Sequence, residues 1–360
     1  MNKIYFLVLI ALILSLSQLT YAKARVNWIK YINPSNGNDY AMAICEYGGY
    51  IYVVGSDKGP GDGQFRIEMR TKIDGRLVKV WTYNPTDNDE GLRDCIIVNN
   101  RLYAVGCMSK VLRRIVIIRK WVMVVLDLKL NLLHYKVGVD GEAVAITTDG
   151  KYLYVAGCEG RGWRVEKRRL DDLSLIKVYK SNPTEGVFTV YGISVNPVTG
   201  EIWVVGKGYW TACRIEVLNS DLEPVALRRT LEYTFAKSVT FDNEGNAYVI
   251  GYDSIVKYDK EANELKRKTL LWNILRKGLW VSGKLYVIGS EIVRGLHRYA
   301  VYIFDEELRL IDRVILGTYT DVRSSWSDLC HDDRSIYLCG WDYALKPPDS
   351  RWVICSISLN

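Results

Sequence analysis

The side chains that most often carry acid–base or metal chemistry are few in this chain. It has only three histidines, His134, His297 and His331, and they are far apart in the sequence. The stretch HDD at 331–333 resembles a metal-ligand cluster, but paired Asp residues also favour a tight turn. The stretch DNDE at 87–90 could offer oxygens to Ca²⁺, but it lacks the EF-hand spacing. Because no nucleophile elbow or phosphate loop is present either, the sequence predicts no catalytic residue, no metal site and no cofactor.

Aromatic residues in two long loops are candidates for ligand binding. Tyr209 and Trp210 lie in KGYWTA, and Trp341 and Tyr343 lie in WDYALKPPDSR. Such rings can hold a sugar ring or a peptide when carboxylates lie nearby. The carboxylates considered for this role are Asp39, Asp87, Asp89 and Asp342. The alternative is that the rings pack these loops onto the ends of the strands.

The segment 108–120 combines basic and apolar residues. It contains Arg113 and Arg114 among Val, Leu and Ile, a composition that could dock a partner or an anionic surface. The alternative, which we favour, is a long β-ribbon that extends two strands and leaves its arginines in solvent.

A short phrase, in which an aromatic residue stands among aliphatic residues before a glycine, occurs seven times. The copies are IYVVG, LYAVG, LYVAG, IWVVG, AYVIG, LYVIG and IYLCG, ending at glycines 55, 106, 157, 206, 251, 289 and 340. These glycines are 38 to 51 residues apart, which is the range of propeller blades. Each phrase reads as a buried strand.

The residues around each phrase predict three further strands. A strand with a small residue before an aliphatic one precedes the phrase, a tight Gly, Asn or Asp turn joins the two, and two more strands follow. Seven such units predict an all-β, seven-bladed β-propeller over residues 23–360. The last unit has only three strands, so residues 25–34 are expected to complete it and close the ring.

This pattern, a YVxG strand followed by a VxxLD-like strand and a Leu/Ile-rich fourth, resembles the β-propeller repeats of secreted microbial proteins. The resemblance covers the chain after residue 22. It implies the fold, export and ligand binding, and it transfers no catalytic residue. The double glycine of Kelch repeats, the Asp-box of sialidases and the tryptophan-docking repeat of quinoprotein dehydrogenases are absent.

The loops between the second and third strands, and those between blades, vary in length, whereas the other hairpins are uniformly tight. A binding site is therefore expected on the variable-loop face or in the channel beneath it. The residues expected near the channel mouth are Met42, Asp94, Val144, Tyr191, Lys237, Lys277 and Ser327. Lys237 and Lys277 could contact an anionic ligand oriented by Asp94. The alternative is ion pairing within the protein.

The first 22 residues read as a secretory signal peptide, with Lys3 before an apolar run at 4–16 and small residues at the expected cleavage site. No second long apolar run follows, so no transmembrane segment is expected in the mature, secreted or cell-surface chain. The net charge of +7 is mixed in sign and argues against nucleic acid. Only two glutamines occur, and because thermolabile amides are depleted in proteins from thermophiles, this composition favours a thermophilic source.

Eight cysteines suit an exported protein that can hold disulfides. The expected pairs are Cys45 with Cys330, in neighbouring inner strands, and Cys339 with Cys355, across a hairpin. No CxxC pair occurs, so a zinc site is disfavoured.

We therefore expect an exported binding or scaffold protein that engages a partner protein or glycan at the cell surface. The alternative is a secreted hydrolase or lyase acting on carbohydrate or ester, because propeller sites are assembled from distant blades. A subunit of a surface assembly without a small ligand is a third reading. An enzyme should show carboxylates, or a histidine with carboxylates, converging at the channel mouth with perturbed pKa values.

Overall fold

The chain folds into a ring of seven antiparallel sheets with four strands each. The computed structural model describes residues 23–59, 62–112, 116–181, 189–208, 213–230, 235–271, 273–294, 296–320, 325–343 and 350–359. All regular elements in these ranges are strands, and no helix there is long and apolar enough to cross a membrane. The predicted seven-bladed β-propeller is confirmed.

Blades 1 to 4 follow one another along the chain. Blade 1 contains β2 (Tyr40–Tyr47), β3 (Tyr50–Lys58), β4 (Gly63–Thr71) and β5 (Leu77–Tyr83). Blade 2 contains β6 (Glu90–Val98), β7 (Arg101–Leu112), β8 (Val116–Asp127) and β9 (Leu132–Asp140). Blade 3 contains β10 (Glu142–Thr148), β11 (Tyr152–Glu159), β12 (Gly162–Arg169) and β13 (Leu175–Lys180). Blade 4 contains β14 (Thr189–Val195), β15 (Ile202–Lys207), β16 (Cys213–Leu218) and β17 (Pro224–Thr230).

Blades 5 to 7 complete the ring. Blade 5 contains β18 (Ser238–Phe241), β19 (Ala247–Ile250), β20 (Ser254–Tyr258) and β21 (Glu264–Thr269). Blade 6 contains β22 (Asn273–Val281), β23 (Lys284–Val293), β24 (Leu296–Phe304) and β25 (Leu310–Thr320). Blade 7 contains β26 (Ser325–His331), β27 (Ser335–Asp342), β28 (Arg351–Ser358) and the N-terminal strand β1 (Val26–Ile32).

The N-terminal strand closes the ring as expected. β1 is the outermost strand of blade 7 and pairs antiparallel with β28, with Ile29 opposite Cys355. Because β28 now has a partner on both sides, its backbone N–H and C=O groups do not form an open edge at the chain's point of closure.

The repeated phrase is the second strand of every blade, and its side chains alternate between two inter-blade cores. Tyr52 and Val54 pack with residues of blade 2, whereas Ile51 and Val53 pack with residues of blade 7. All four are almost completely buried. A strand covered on both faces needs apolar residues at successive positions, which explains why the phrase is continuously apolar.

The glycine that ends the phrase has a steric role in six blades. A Cβ at Gly55, Gly106, Gly157, Gly206, Gly289 or Gly340 would collide with a carbonyl oxygen of the adjacent inner strand. Just beyond this close approach, each of these inner strands has a β-bulge. The glycine therefore permits the bulge, which turns one side chain of each inner strand towards the central channel.

Buried arginine–glutamate pairs are built into the third strands of blades 1, 3 and 4. In blade 3, Glu166 accepts hydrogen bonds from Arg164 Nε and Arg168 Nε, each at 2.6 Å. Glu68 lies between two arginines of blade 1 in the same way. These side chains are spaced two residues apart, so they lie on one face of a strand. A second carboxylate, Asp57 in blade 1 and Glu159 in blade 3, pairs with the first arginine of each trio, so the two positive charges are balanced.

Neither predicted disulfide is present, because all eight cysteines are free thiols. Cys339 lies opposite Ile354, and Cys355 lies opposite Leu338, so the two thiols face different inter-blade cores. The hairpin register is one residue away from the one that would pair them. Cys45 contacts Cys95 of blade 2, with the sulfur atoms 3.2 Å apart, rather than bonding to Cys330.

Candidate functional site

A cavity of about 330 Å³ lies on the ring axis and is lined by the inner strands of all seven blades. Its wall contains the bulge residues of six inner strands and, from blade 5, Lys237, which directly precedes β18. These seven residues are Met42, Arg93, Val144, Tyr191, Lys237, Arg276 and Ser327. We call this space the channel-mouth cavity, since it opens at the end of the ring that carries the variable loops.

All seven predicted channel residues line the cavity, but two inner strands have a register that differs from the expected one. Arg93 and Arg276 are the bulge residues of blades 2 and 6, whereas Asp94 and Lys277 lie one residue farther along the strand. When the repeats of the chain are compared with one another in sequence, Cys95 and Gly278 match the small residue Ala43 of blade 1. In the structure Asp94 and Lys277 take the position of Ala43, so the sequence match was wrong by one residue. Both still line the cavity, in the layer below.

Lys277 crosses the channel and pairs with two carboxylates. Its Nζ lies 2.5 Å from Asp328 Oδ1 in blade 7 and 3.7 Å from Asp94 Oδ1 in blade 2. Burial alone would lower the pKa of Lys277, but the two carboxylates outweigh it and raise that pKa. Lys277 is therefore held as a cation and is unsuited to act as a base.

The two carboxylates also join neighbouring blades. Asp328 Oδ2 accepts the backbone N–H of Ile44 in blade 1, and Asp94 Oδ2 accepts that of Ile146 in blade 3. Their Oδ1 atoms accept the N–H of the next residue in their own strands. Burial raises the pKa of Asp94 to about 6, although Lys277 opposes this effect. Both groups thus serve the structure of the ring, below the open part of the cavity.

Two cations of the cavity wall have no carboxylate partner among the described residues. Lys237 and Arg276 form no ion pair there, and Arg276 Nε is buried without a hydrogen-bond acceptor. Burial, together with repulsion by Arg276 and Lys207, lowers the pKa of Lys237 to about 8. Burial likewise lowers the pKa of Arg276. The cavity therefore offers uncompensated positive charge to an anion.

Aromatic faces hold the ammonium groups in place. Lys237 Nζ lies 3.7 Å from the ring centroid of Tyr191 and 5.5 Å from that of Phe235. Lys207 Nζ lies 4.8 Å from the same Phe235 centroid. Cation–π contacts of this kind orient an ammonium group without neutralising it, so the charge of Lys237 stays available to a ligand in the cavity.

An aromatic cluster forms one side of the cavity rim. Trp341 lines the cavity and packs edge-on against Tyr40 and Tyr343, with centroid distances of 5.1 and 5.4 Å. The hydroxyls of Tyr40 and Tyr343 are 3.0 Å apart. Trp341 and Tyr343 thus lie together at the predicted face, while Tyr209 and Trp210 lie outside the described residues.

Two of the four carboxylates that were candidates to accompany these rings are engaged within the protein. Asp342 Oδ1 accepts a hydrogen bond from Arg351 Nε at 2.8 Å. Asp39 accepts hydrogen bonds from the backbone N–H groups of Ser35 and Lys58. Both side chains therefore fix loops on the scaffold.

The basic insertion is a β-ribbon, as favoured above. β7 and β8 remain paired as far as Leu112 and Val116. Arg113 and Arg114 lie outside the described residues.

The histidines do not converge. His297 is buried in blade 6, where its Nδ1 lies 3.2 Å from Ser290 Oγ. Burial and the nearby Arg276 lower its pKa. His331 lies beside the turn at Asp332, whose Oδ1 accepts the N–H groups of Arg334 and Ser335. Within the described ranges, no group of three or more His, Cys, Asp or Glu side chains could hold a metal ion.

Sequence reasoning missed Arg93 and Arg276 as residues of the cavity wall. A signal was present, because both lie two residues before the small residue that was used to align the inner strands. The bulge moves the channel-facing position by one residue, and its exact place follows from backbone pairing rather than residue type. Arg93 is neutralised by Glu142, with Nε 2.5 Å from Oε1, whereas Arg276 is not.

Comparison with known proteins supports the architecture. The fold resembles that of virginiamycin B lyase from Staphylococcus aureus, over 94% of this chain and 100% of that chain, with a TM-score of 0.64 and 9% sequence identity. No protein-family model and no curated protein matches the sequence. At such low identity the similarity shows the fold alone. The chain is a seven-bladed β-propeller with a positively charged cavity at the mouth of its channel.

Proposed function

We propose that this chain is an exported binding protein whose variable-loop face engages a partner protein or glycan, with an anionic group of that partner entering the channel-mouth cavity. The observation that carries this proposal is the pair Lys237 and Arg276, which lack a carboxylate partner among the described residues. Burying unpaired charge costs free energy, so such charge is expected where a ligand supplies the counter-charge.

The shape of the cavity fits one group of a larger molecule. A volume of about 330 Å³ is at the small end of ligand sites. A carboxylate-bearing side chain or one acidic sugar fits this volume. The Trp341 and Tyr343 rings at the rim are placed to contact the remainder of such a partner.

The engagement of the acids favours binding over catalysis. The carboxylates nearest the cavity, Asp94 and Asp328, are occupied by Lys277 and by backbone N–H groups. Among the described residues, no histidine is placed with a carboxylate at the mouth. A secreted hydrolase or lyase was expected to bring carboxylates, or a histidine with carboxylates, together at the channel mouth. The described residues support binding instead, because the acids near the cavity are already paired.

Export is part of the proposal and rests on residues 1–22. Ala24 N–H donates to Asp312 Oδ2 at 3.1 Å, and Arg25 N–H donates to Ser358 Oγ at 3.0 Å. Cleavage after Ala22 would keep both interactions as amide hydrogen bonds. We expect the mature chain in the medium or at the cell surface to begin at Lys23, which N-terminal sequencing would show.

Photo-cross-linking on the source cells tests the binding role. A benzophenone amino acid replaces Tyr343 at the rim or, as a matched control, Tyr47 in a tight hairpin on the opposite face. We expect a discrete adduct from position 343 that is lost when Lys237→Met and Arg276→Met are added, and none from position 47. No adduct from position 343, or one that the double substitution leaves unchanged, would contradict the proposal.

A further inference from the structure

A second cavity lies between blades 1 and 2 at the same end of the ring. Its volume is about 320 Å³, and its walls come from the ends of β3 and β7 and the starts of β4 and β6. We propose that this inter-blade cavity binds a neutral saccharide, which its buried acceptors and surrounding cations hold through hydroxyl groups. The site is separate from the anion site, although Arg93 contributes to both walls.

Glu90 is the first residue that points to a ligand. Its side chain lines the cavity, and the residue is only 4% exposed. One carboxyl oxygen, Oε1, accepts a hydrogen bond from the Thr86 hydroxyl. The other, Oε2, is buried and has no partner among the described residues. A buried carboxylate oxygen without a donor is costly, and a ligand donor would remove that cost.

Asn38 supplies a second unmatched acceptor. Its side chain lines the same cavity, and its Oδ1 is buried without a hydrogen-bond partner in the part of the chain that the structure describes. The two acceptors come from the chain entering blade 1 and from the first strand of blade 2. A single ligand between the blades could donate to both.

The charged side chains around the cavity indicate which kind of ligand group donates to Glu90 and Asn38. Lys58, Arg93 and Arg119 line it as well, against the carboxylates Asp89 and Glu90. Glu142 pairs with both arginines, so their charge is largely balanced, and the three cations act here as hydrogen-bond donors. A hydroxyl group can donate to an acceptor and accept from a cation at the same time, as neither an ammonium nor a metal ion can. A ligand with several hydroxyls therefore satisfies both sets of side chains.

The raised pKa of Glu90 is consistent with a ligand that carries hydroxyl groups. Burial, with smaller contributions from Asp62, Asp89 and Asp87, raises the pKa of Glu90 to about 7 against the effect of the Thr86 hydrogen bond. Near neutral pH its carboxyl group can therefore either donate to or accept from a hydroxyl. Cys107 at the same wall is unreactive by comparison, because burial raises its pKa to about 11.

Size and the neighbouring ring point to a sugar rather than a small polyol. About 320 Å³ is enough for one or two pyranose rings. Tyr40 lines the cavity, and its ring offers an apolar face to the C–H side of a sugar. Tyr40 also contacts Trp341, which lines the channel-mouth cavity.

Saturation-transfer NMR on the chain 23–360, purified with EDTA, tests the site. The probes are the methyl glycosides of glucose, galactose, mannose, xylose and N-acetylglucosamine, followed by titration of the strongest binder. Glu90→Gln keeps the shape and replaces the unmatched acceptor by an amide donor. At pH 8.5, where the Glu90 carboxyl group is ionised, we expect it to weaken binding about tenfold or more, the effect of one lost hydrogen bond to a charged group.

Two controls distinguish this site from the anion site. Glu261→Gln, in an exposed hairpin of blade 5, should leave sugar binding unchanged. Lys237→Met with Arg276→Met should also leave it unchanged, even if that variant has lost its anionic partner. Absence of transfer to all five glycosides, full binding by a folded Glu90→Gln variant, or tight binding of Ca²⁺ at Glu90 would each overturn the inference.

Discussion

Lys277 Nζ lies 2.5 Å from Asp328 Oδ1, an ion pair that joins blades 6 and 7 at the centre of the ring. Asp94 approaches the same ammonium from blade 2, across the channel. The layer below the channel-mouth cavity thus holds one cation against two carboxylates. The unmatched positive charge is confined to the layer above, at Lys237 and Arg276.

Replacement of Lys277 should make stability strongly dependent on pH. In Lys277→Met, Asp94 and Asp328 lose their shared cation, so the folded-state pKa of Asp94, already raised to about 6 by burial, rises further. The folded state then binds more protons, and its stability falls as pH rises from about 4 to 8. We expect a loss of about 3–5 kcal/mol at pH 8 and a much smaller loss at pH 4, measured by urea unfolding. An equal loss at both pH values would contradict the assigned pairing.

Replacement of Lys237 should stabilise the protein. Its pKa is lowered to about 8, so the folded state binds fewer protons than the unfolded state between that pH and the ordinary lysine value. The cost of the buried charge is fully present below pH 8 and disappears as pH rises towards 10.5. Lys237→Met should gain about 1 kcal/mol at pH 7 and nothing near pH 10.5. Destabilisation at pH 7 would show that Lys237 has an internal partner.

The glycine of the repeated phrase should not tolerate a side chain. A Cβ at Gly106 would meet the carbonyl oxygen of Gly91, whereas a Cβ at Gly49 would have nothing within 4 Å. Gly106→Ala should therefore lower the unfolding free energy by about 3 kcal/mol, and Gly49→Ala by less than about 0.5 kcal/mol. Similar thermal melting of the two variants would argue against the close approach at the bulge.

The buried carboxylate of blade 3 should matter far more than an exposed one. Glu166→Ala would leave Arg164 and Arg168 buried without their shared partner and should cost about 3–5 kcal/mol. Glu307, whose Oε2 lies 2.7 Å from Lys266 Nζ at an exposed site, is the matched control. Glu307→Ala should leave the free energy of unfolding nearly unchanged, because water and salt screen an exposed ion pair. Equal costs in chemical denaturation would show that the burial of Glu166 is incidental.

Much of the fold was readable from the sequence because the repeat constrains it. Three features constrain the fold. They are the glycine that ends each phrase, the apolar run from Ile51 to Val54, which is buried on both faces, and the missing fourth strand of the last unit. The ring and its closure by β1 follow from these features together.

The cavity wall was less readable, because it depends on the place of each bulge. Residue types near Cys95 and Gly278 suggested one register, and backbone pairing adopted another that exposes Arg93 and Arg276 to the channel. The cysteine pairs failed for the same reason, since one residue of register places Cys339 and Cys355 in different cores. The third strands of blades 1 and 3 contain the pattern Arg-x-Glu-x-Arg. An exposed polar strand can have the same pattern, so the sequence did not predict that these ion pairs are buried.

Isothermal titration of the purified chain 23–360 with a short poly-L-glutamate tests most directly whether the channel mouth binds anions. We expect binding at pH 7 that weakens at pH 9.5, as Lys237 loses its proton, and that falls at least tenfold in Lys237→Met with Arg276→Met. Lys266→Met, at an exposed site, should bind as the unmodified chain does. Equal affinity of the unmodified chain and the double variant, or no binding by either, would contradict the account.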